Sequence, residues 1–475
     1  MIRSTSRPSA SESTFRQSLP RILRRLVLAA LFFFHPAANS VVGKAYFSIA
    51  GLNNVFGAVT SNIFLQPAIL LSMILLMVVP AAQRFSLKRW SSGVSIGLGL
   101  WFAGAVLAFL WNARADLVAM TFCAVFLSGL FVFVALVDYP LEETDVDVVF
   151  IALALGSLFP LVSGLQAFYN TWGFPSLSTV LAAHNSAKGI QVYEEATFSS
   201  RGNTASLLVL IAPPLMALVF DRGRSWWSRA LYGLCTGLIV VNLVILQQRA
   251  VIFICLVSVA FLWRFKTRSA SSYLIYAATA ALALYAVTVY APDVSTLIDD
   301  RFVPAVTWDA EDRSVSGRTE AIQEGIDIAV RNLPFGLGPG SAVIVHSQNS
   351  AHQFNVQQGL EDGVLGFIGS VVLSLAALAM LIKSMSAGER SPENRRRFIF
   401  IVGPACYLVH GVLANTTINL GYVNTWMVLL VAMLALALST EPAPTRKRTQ
   451  IAAKLGFRPR TVSVDASVAF PVQRP

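Results

Sequence analysis

Long apolar blocks, separated by mostly short polar joints, occupy most of this chain. The blocks run roughly 13–21 residues, most of them near the roughly 20 that cross a bilayer as a helix. The pattern predicts an all-α integral membrane protein with about 12 transmembrane helices. The first six spans are Leu26–Ala38, Ile63–Ala81, Val94–Trp111, Leu117–Val137, Val149–Tyr169 and Ala205–Phe220. The rest are Leu231–Leu246, Val251–Trp263, Tyr273–Tyr290, Val364–Ile382, Phe398–Leu413 and Tyr422–Ala437. Polar ends flank this membrane domain of residues 21–440. Residues 1–20, rich in Ser and Arg, read as disordered and cytoplasmic. Residues 441–475 form a basic cytoplasmic tail whose "RKR" suits anionic headgroups. The stretch "RILRRLVLAALFFFHPAANS" also has the make-up of a signal peptide. Its removal would leave the later topology unchanged, since the next segment would still begin outside.

Charge gives the orientation. With both termini inside, the inner segments hold 27 Lys+Arg and 11 acids, and the outer ones 9 and 14. That is +16 inside and −5 outside, which together make the net +11 of the chain. The basic balance is therefore positive-inside anchoring, and no nucleic-acid partner is expected. Composition agrees: 55% of the 475 residues are hydrophobic and only 13% charged, where a soluble domain is about a quarter charged. The loop "DYPLEETDVD" carries acids and no basic residue, so parity alone assigns it to the inside. Cys123, Cys235, Cys255 and Cys406 all fall within spans, without metal or disulfide spacing, and read as apolar fillers.

Two outer loops break the rhythm, at about residues 170–203 and 291–362. The second is about 70 residues long, against typical connections of about 4–6. Within it, Ser316 is a plausible cap for an amphipathic helix bearing Ala321, Ile322, Ile326, Ile328, Ala329 and Val330. A Pro ends that run, and "GLGPG", with Gly338 and Gly340, turns the chain. This predicts a surface helix, a tight glycine turn and a polar segment that re-enters the membrane between the ninth and tenth spans.

The re-entering segment, "SAHQFNVQQGLEDGVLG", is polar for so apolar a chain. If residues 352–366 form one helix, Gly359, Gly363 and Gly366 fall within about 40° of His352. Such a glycine strip lets another backbone approach. Glu361 would point away and fix the helix to a neighbour, such as an outer arginine. His352 near the outer interface could act as a general base on a hydroxyl; the plainer alternative is a headgroup-level hydrogen bond. His346 and His184 have weaker claims, and His35 and His410, at span edges, read as structural. Among the few outer cations, Arg201, Arg249 and Arg318 stand near span or helix ends. Their guanidinium forks match phosphate oxygens, or they snorkel to headgroups.

These residues also carry a resemblance. His352, Glu361, Gly363 and Gly366 keep the offsets of the His-Asn…Glu-x-Gly-x-x-Gly signature of the O-antigen ligase and polymerase family. "SGR" ending at Arg318 and the following "LPFGLGPG" resemble its Gly-Arg…Pro-x-x-Gly-x-Gly-x-Gly segment. Arg249 resembles its arginine between core spans, and Asn203 the start of its Gly-Asn-Pro-Asn element. The similarity covers about residues 200–383. Gln353 replaces the family's Asn, and Thr204 and Ala205 replace Pro-Asn.

The resemblance implies a metal-independent, inverting glycosyltransferase of the bacterial inner membrane, its active site facing the periplasm. The implied donor is a polyprenyl-diphosphate-linked glycan, and the acceptor a glycan or lipid core. It gives His352 the acceptor proton, and the diphosphate to Arg249 and Arg318 with Arg201. It implies no cofactor.

Three rivals remain at this stage. A nucleotide-sugar enzyme would need a metal, for which "DVD" at Asp145 and Asp147 is a candidate, although its loop faces inward. A transporter would show paired halves and interrupted spans, and neither is evident. Within the family, ligase and repeat-unit polymerase share donor and base, and the sequence leans only slightly to the ligase.

Overall fold

Helix is the only regular structure among the described residues, as the apolar blocks require. A computed structural model of the chain describes residues 10–39, 67–78, 87–112, 117–186, 190–197, 201–246, 249–267, 313–341, 351, 353–414 and 425–440. The helices of the first half are α1 Ala10–Asn39, α2 Pro67–Val78, α3 Leu87–Trp90, α4 Gly93–Asn112, α5 Leu117–Leu136, α6 Glu143–Trp172, α7 Leu177–Asn185 and α8 Gln191–Ala196. Those of the second are α9 Arg201–Val219, α10 Trp226–Leu246, α11 Arg249–Thr267, α12 Arg313–Arg331, α13 Phe354–Ala387, α14 Pro392–Ala414 and α15 Thr425–Ser439. Four of them, α4, α6, α10 and α13, are long and apolar enough to cross a membrane. Every span predicted above overlaps a helix, except Tyr273–Tyr290, which lies outside the described residues. α1 begins at Ala10, so part of the segment expected to be disordered is helical and continuous with the first span.

One end of the bundle is fastened by ion pairs. Arg25 reaches Glu142 and Asp145, and Arg89 reaches Asp138. Arg224 holds Glu143, Asp147 and Asp221, while Arg395 bridges Glu143 and Asp221. Lys266 meets Glu389. The acidic loop that parity alone placed thus packs among segments read independently as basic inner loops. Burial disfavours a charged Arg224, but Asp147, Glu143 and Asp221 outweigh it and raise its pKa. On Arg25 the hydrogen bond to Asp145 is the largest effect and also raises the pKa. Asp145 and Asp147, the residues of the metal triplet, are each taken by an arginine.

These pairs fix the direction of the helices. α9 runs into Asp221, α11 ends next to Lys266, and α13 ends just before Glu389. All three therefore start at the opposite end. α4 and α14 start at the ion-pair end and rise beside them.

α4 and α13 approach closely. A Cβ on Gly97 would lie 2.6 Å from the Leu373 nitrogen, and one on Gly369 2.4 Å from the Trp101 nitrogen. Backbone contact of this kind substitutes for hydrophobic drive within a bilayer. Part of the 170–203 segment packs into the bundle. Its α8 buries Tyr193 completely, and the phenol donates to the Asn242 amide oxygen on α10. Cys235, Cys255 and Cys406 are buried free thiols.

Candidate functional site

The long helix α13 is not one straight rod. At Gly363 the backbone leaves helical space, with φ 69° and ψ −156°. A side chain rarely tolerates that region, so glycine supplies it. The single-helix phase assumed for residues 352–366 therefore fails: Gly363 is a break, and the residues before and after it do not share one strip. Only Gly359 retains the expected room, with nothing closer than 3.5 Å to its would-be Cβ.

A break frees backbone groups that a helix would pair, and these must find partners. The turn after α12 provides them. The Val364 amide donates to the Pro334 carbonyl, Leu337 to the Leu360 carbonyl, and Gly338 to the Glu361 carbonyl, each at 2.9 Å. The glycine turn predicted at "GLGPG" thus closes the helix break. Gly336 and Gly338 have positive φ, and a Cβ on Gly336 would sit 2.6 Å from the Gly363 nitrogen. Gly340 also has positive φ, and the Ser341 hydroxyl donates to the Gly338 carbonyl. The C-terminal end of α4 grips this turn as well: the Asn112 amide donates to the Gly336 carbonyl, and Trp111 stacks on Phe335 at 4.4 Å.

His352, the proposed base, lies outside the described residues, but both of its neighbours are described. The Ala351 amide donates to the Gln357 side-chain oxygen at 2.9 Å, and the Gln357 nitrogen donates to Glu361 at 2.6 Å. Glu361 is buried and accepts from Gln357, one turn earlier on its own helix. Gln353, which departs from the motif, caps α13 by accepting from the Val356 amide at 2.6 Å. Side-chain bonds therefore fix the backbone on either side of His352.

The described arginine is brought towards this point by α12. Gly325 packs against Ala351, 2.7 Å from its would-be Cβ to the Ala351 Cβ. Arg318 is seven residues earlier, hence on nearly the same face two turns away. Arg249 is the first residue of α11, and Arg201 and Asn203 lie in the first turn of α9. Their side chains lie outside the described residues, but both helices start at the end from which α13 starts. His346 also lies outside the described residues, and so does the His184 side chain. His35 and His410 are buried.

Sequence reasoning missed the residues behind the site. Trp101 of α4 is fully buried, and its indole donates to the Gln358 side-chain oxygen and, at 3.1 Å, to Asp362. Asp362 is almost completely buried, with no cation paired to it among the described residues. A Cβ on Gly366 would meet the Asp362 Cβ at 2.3 Å. Nothing local in the sequence joins α4 to α13. The i,i+4 spacing of Gln357 and Glu361, by contrast, was there to be read.

Residues 234–371 match the family model described as O-Antigen ligase. This is the family that the motif spacing indicated. The matched segment holds Arg249, Arg318, His352, Glu361, Gly363 and Gly366, and leaves Arg201 and Asn203 outside it. No curated protein matches the chain.

Proposed function

Starting from the O-antigen ligase family domain at residues 234–371, we propose that this membrane protein is an inverting glycosyltransferase. It moves a polyprenyl-diphosphate-linked glycan to an acceptor hydroxyl at the outer face of the bacterial inner membrane. The protein crosses that membrane about 12 times, with both termini and the ion-paired end in the cytoplasm, as the positive-inside rule favours. The observation that carries the reading is the family match, which spans the starts of α11 and α13 at one end of the bundle.

In this scheme His352 takes the proton from the acceptor hydroxyl as it attacks the anomeric carbon. The bond to the diphosphate breaks on the opposite face, inverting the centre. Diphosphate leaves without a strong acid, and Arg249 and Arg318, with Arg201, offset the charge that develops on it. The carboxylates of Glu361 and Asp362 are held by Gln357 and Trp101, so they position the helix rather than transfer protons. No metal is required.

The test is glycan analysis of the envelope and secreted polysaccharide from cells with wild-type protein, no protein, or His352→Ala at equal expression. Loss of finished glycan in both defective strains is expected. Accumulated long lipid-linked chains would mean a ligase, and accumulated single repeats a polymerase. Normal glycan with His352→Ala would remove the proposed base.

A further inference from the structure

Trp101 is outside the family-matched segment, yet it touches the site's helix at three successive levels. Its ring meets Phe354 edge-on at 5.5 Å, and its N–H is shared by Gln358 and Asp362. Positions 354, 358 and 362 are spaced by four, so they form one face of the short helical arm between the segment start and the break at Gly363. Phe354 is two residues beyond His352. On its far side Trp101 packs edge-on against Phe126 of α5 at 5.3 Å. On the same face Gly104 of α4 also packs against the arm's end, its would-be Cβ 2.8 Å from the Asp362 carbonyl oxygen, but that contact is with backbone and leaves the side-chain clamp to Trp101.

We propose that Trp101 is a positioning residue for the transfer, setting the orientation of the 354–362 arm and through it His352. This deepens the function proposed above and rests on it. The indole N–H is the operative group: it clamps two acceptors one turn apart and so fixes the arm's rotation about its axis. The ring alone would hold the arm's distance from α4 but not that rotation. Trp101 is fully buried, so it does not contribute to donor affinity directly.

The experiment uses full-length protein in liposomes, comparing wild type, Trp101→Phe, Asp362→Leu, Asp362→Asn and the exposed control Gly99→Ala. Two quantities are read on each. One is steady-state transfer from a lipid-linked glycan donor. The other, independent of activity, is the rate and pH midpoint of His352 carbethoxylation by diethyl pyrocarbonate, located by mass spectrometry. Trp101→Phe, which keeps an aromatic ring but removes the N–H, is expected to lower kcat about 10- to 100-fold with KM little changed, as for a displaced catalytic group. It also changes the His352 modification profile. Asp362→Leu is expected to do the same, and Asp362→Asn, which keeps an acceptor for the indole, to restore most of the loss.

An unchanged His352 profile in both Trp101→Phe and Asp362→Leu would overturn the proposal. So would a fall in folded protein with kcat per folded molecule unaltered, which is a purely structural effect. If wild-type protein transfers no glycan, the function reading fails by itself, while the modification profile still decides whether Trp101 orients His352.

Discussion

Gly363→Ala is the substitution for which the structure makes the sharpest demand. An alanine Cβ would stand 2.1 Å from the Pro334 carbonyl oxygen and 2.6 Å from the Phe335 carbonyl carbon. Both are backbone atoms, so no rotamer change relieves the overlap. The φ of 69° adds about 1–3 kcal/mol of strain for any residue with a Cβ. If the 334–338 turn retreats, the three amide bonds from Val364, Leu337 and Gly338 go with it, at about 1 kcal/mol each. The total is about 4–6 kcal/mol, a large share of the 5–15 kcal/mol that about spans natural stabilities. Gly359→Ala is the matched control: its Cβ has room, and a helix gains up to about 1 kcal/mol from the change. Thermal unfolding of both variants in detergent, beside glycan transfer in cells, makes the comparison. A Gly363→Ala protein melting within about 2 °C of wild type with normal transfer would refute both the break and its closure by the turn.

Arg224→Gln should destabilise the ion-paired end by about 3 kcal/mol, the low side of what breaking a buried ion pair costs. The low side applies because Glu143 and Asp147 keep over a third of their side chains in solvent and Arg395 still reaches Asp221; an unchanged Tm would contradict this. Gly369→Leu should separate α4 from α13 and abolish transfer, whereas Gly99→Leu, whose Cβ meets nothing within 4 Å, should be tolerated. Equal expression and activity of the two leucine variants would count against the close helix pair. Because Asp145 and Asp147 are bound by Arg25 and Arg224, transfer by purified protein should survive EDTA. Activity lost to EDTA and recovered with magnesium would put a metal into the reaction.

Hydropathy and motif spacing are local properties, so the helices, the glycine turn after α12 and the likeness to the matched family were legible in the sequence. The break at Gly363 was not. A helical wheel assumes one unbroken phase, and "EDGVLG" satisfies it although the glycine is used for its positive φ. What decides the matter is tertiary: the 334–338 turn replaces the lost helix bonds, and only contact between distant segments supplies that. Trp101 was invisible for the same reason, since its partner Gln358 is 257 positions away. The acidic loop at 138–147 could be placed by parity, but its ion pairs with Arg25, Arg89 and Arg224 required the folded chain.

Among the described bonds, the two ends of the bundle differ in chemistry, and the difference suits the proposed reaction. At the ion-pair end, acids and arginines from several segments neutralise one another. At the other end, the described bonds that shape the site are backbone amides, glutamine amides, an asparagine amide and an indole. An ionic scaffold there would compete with an anionic donor, because any arginine committed to a carboxylate has less attraction left for a diphosphate. Neutral hydrogen bonds exert no such competition. They also depend on direction more than on distance, which is the property needed to orient a base. Asp362 fits this scheme, buried and engaged by the neutral Trp101 indole, and Gln357 is a neutral donor to the buried Glu361. Replacing those donors by cations, as in Gln357→Lys, would preserve attraction to Glu361 but alter the geometry at Ala351. If orientation matters, Gln357→Lys fails like Gln357→Leu. Transfer by the lysine variant at wild-type rates would mean that charge neutralisation, rather than the direction of the bond, is what this arm requires.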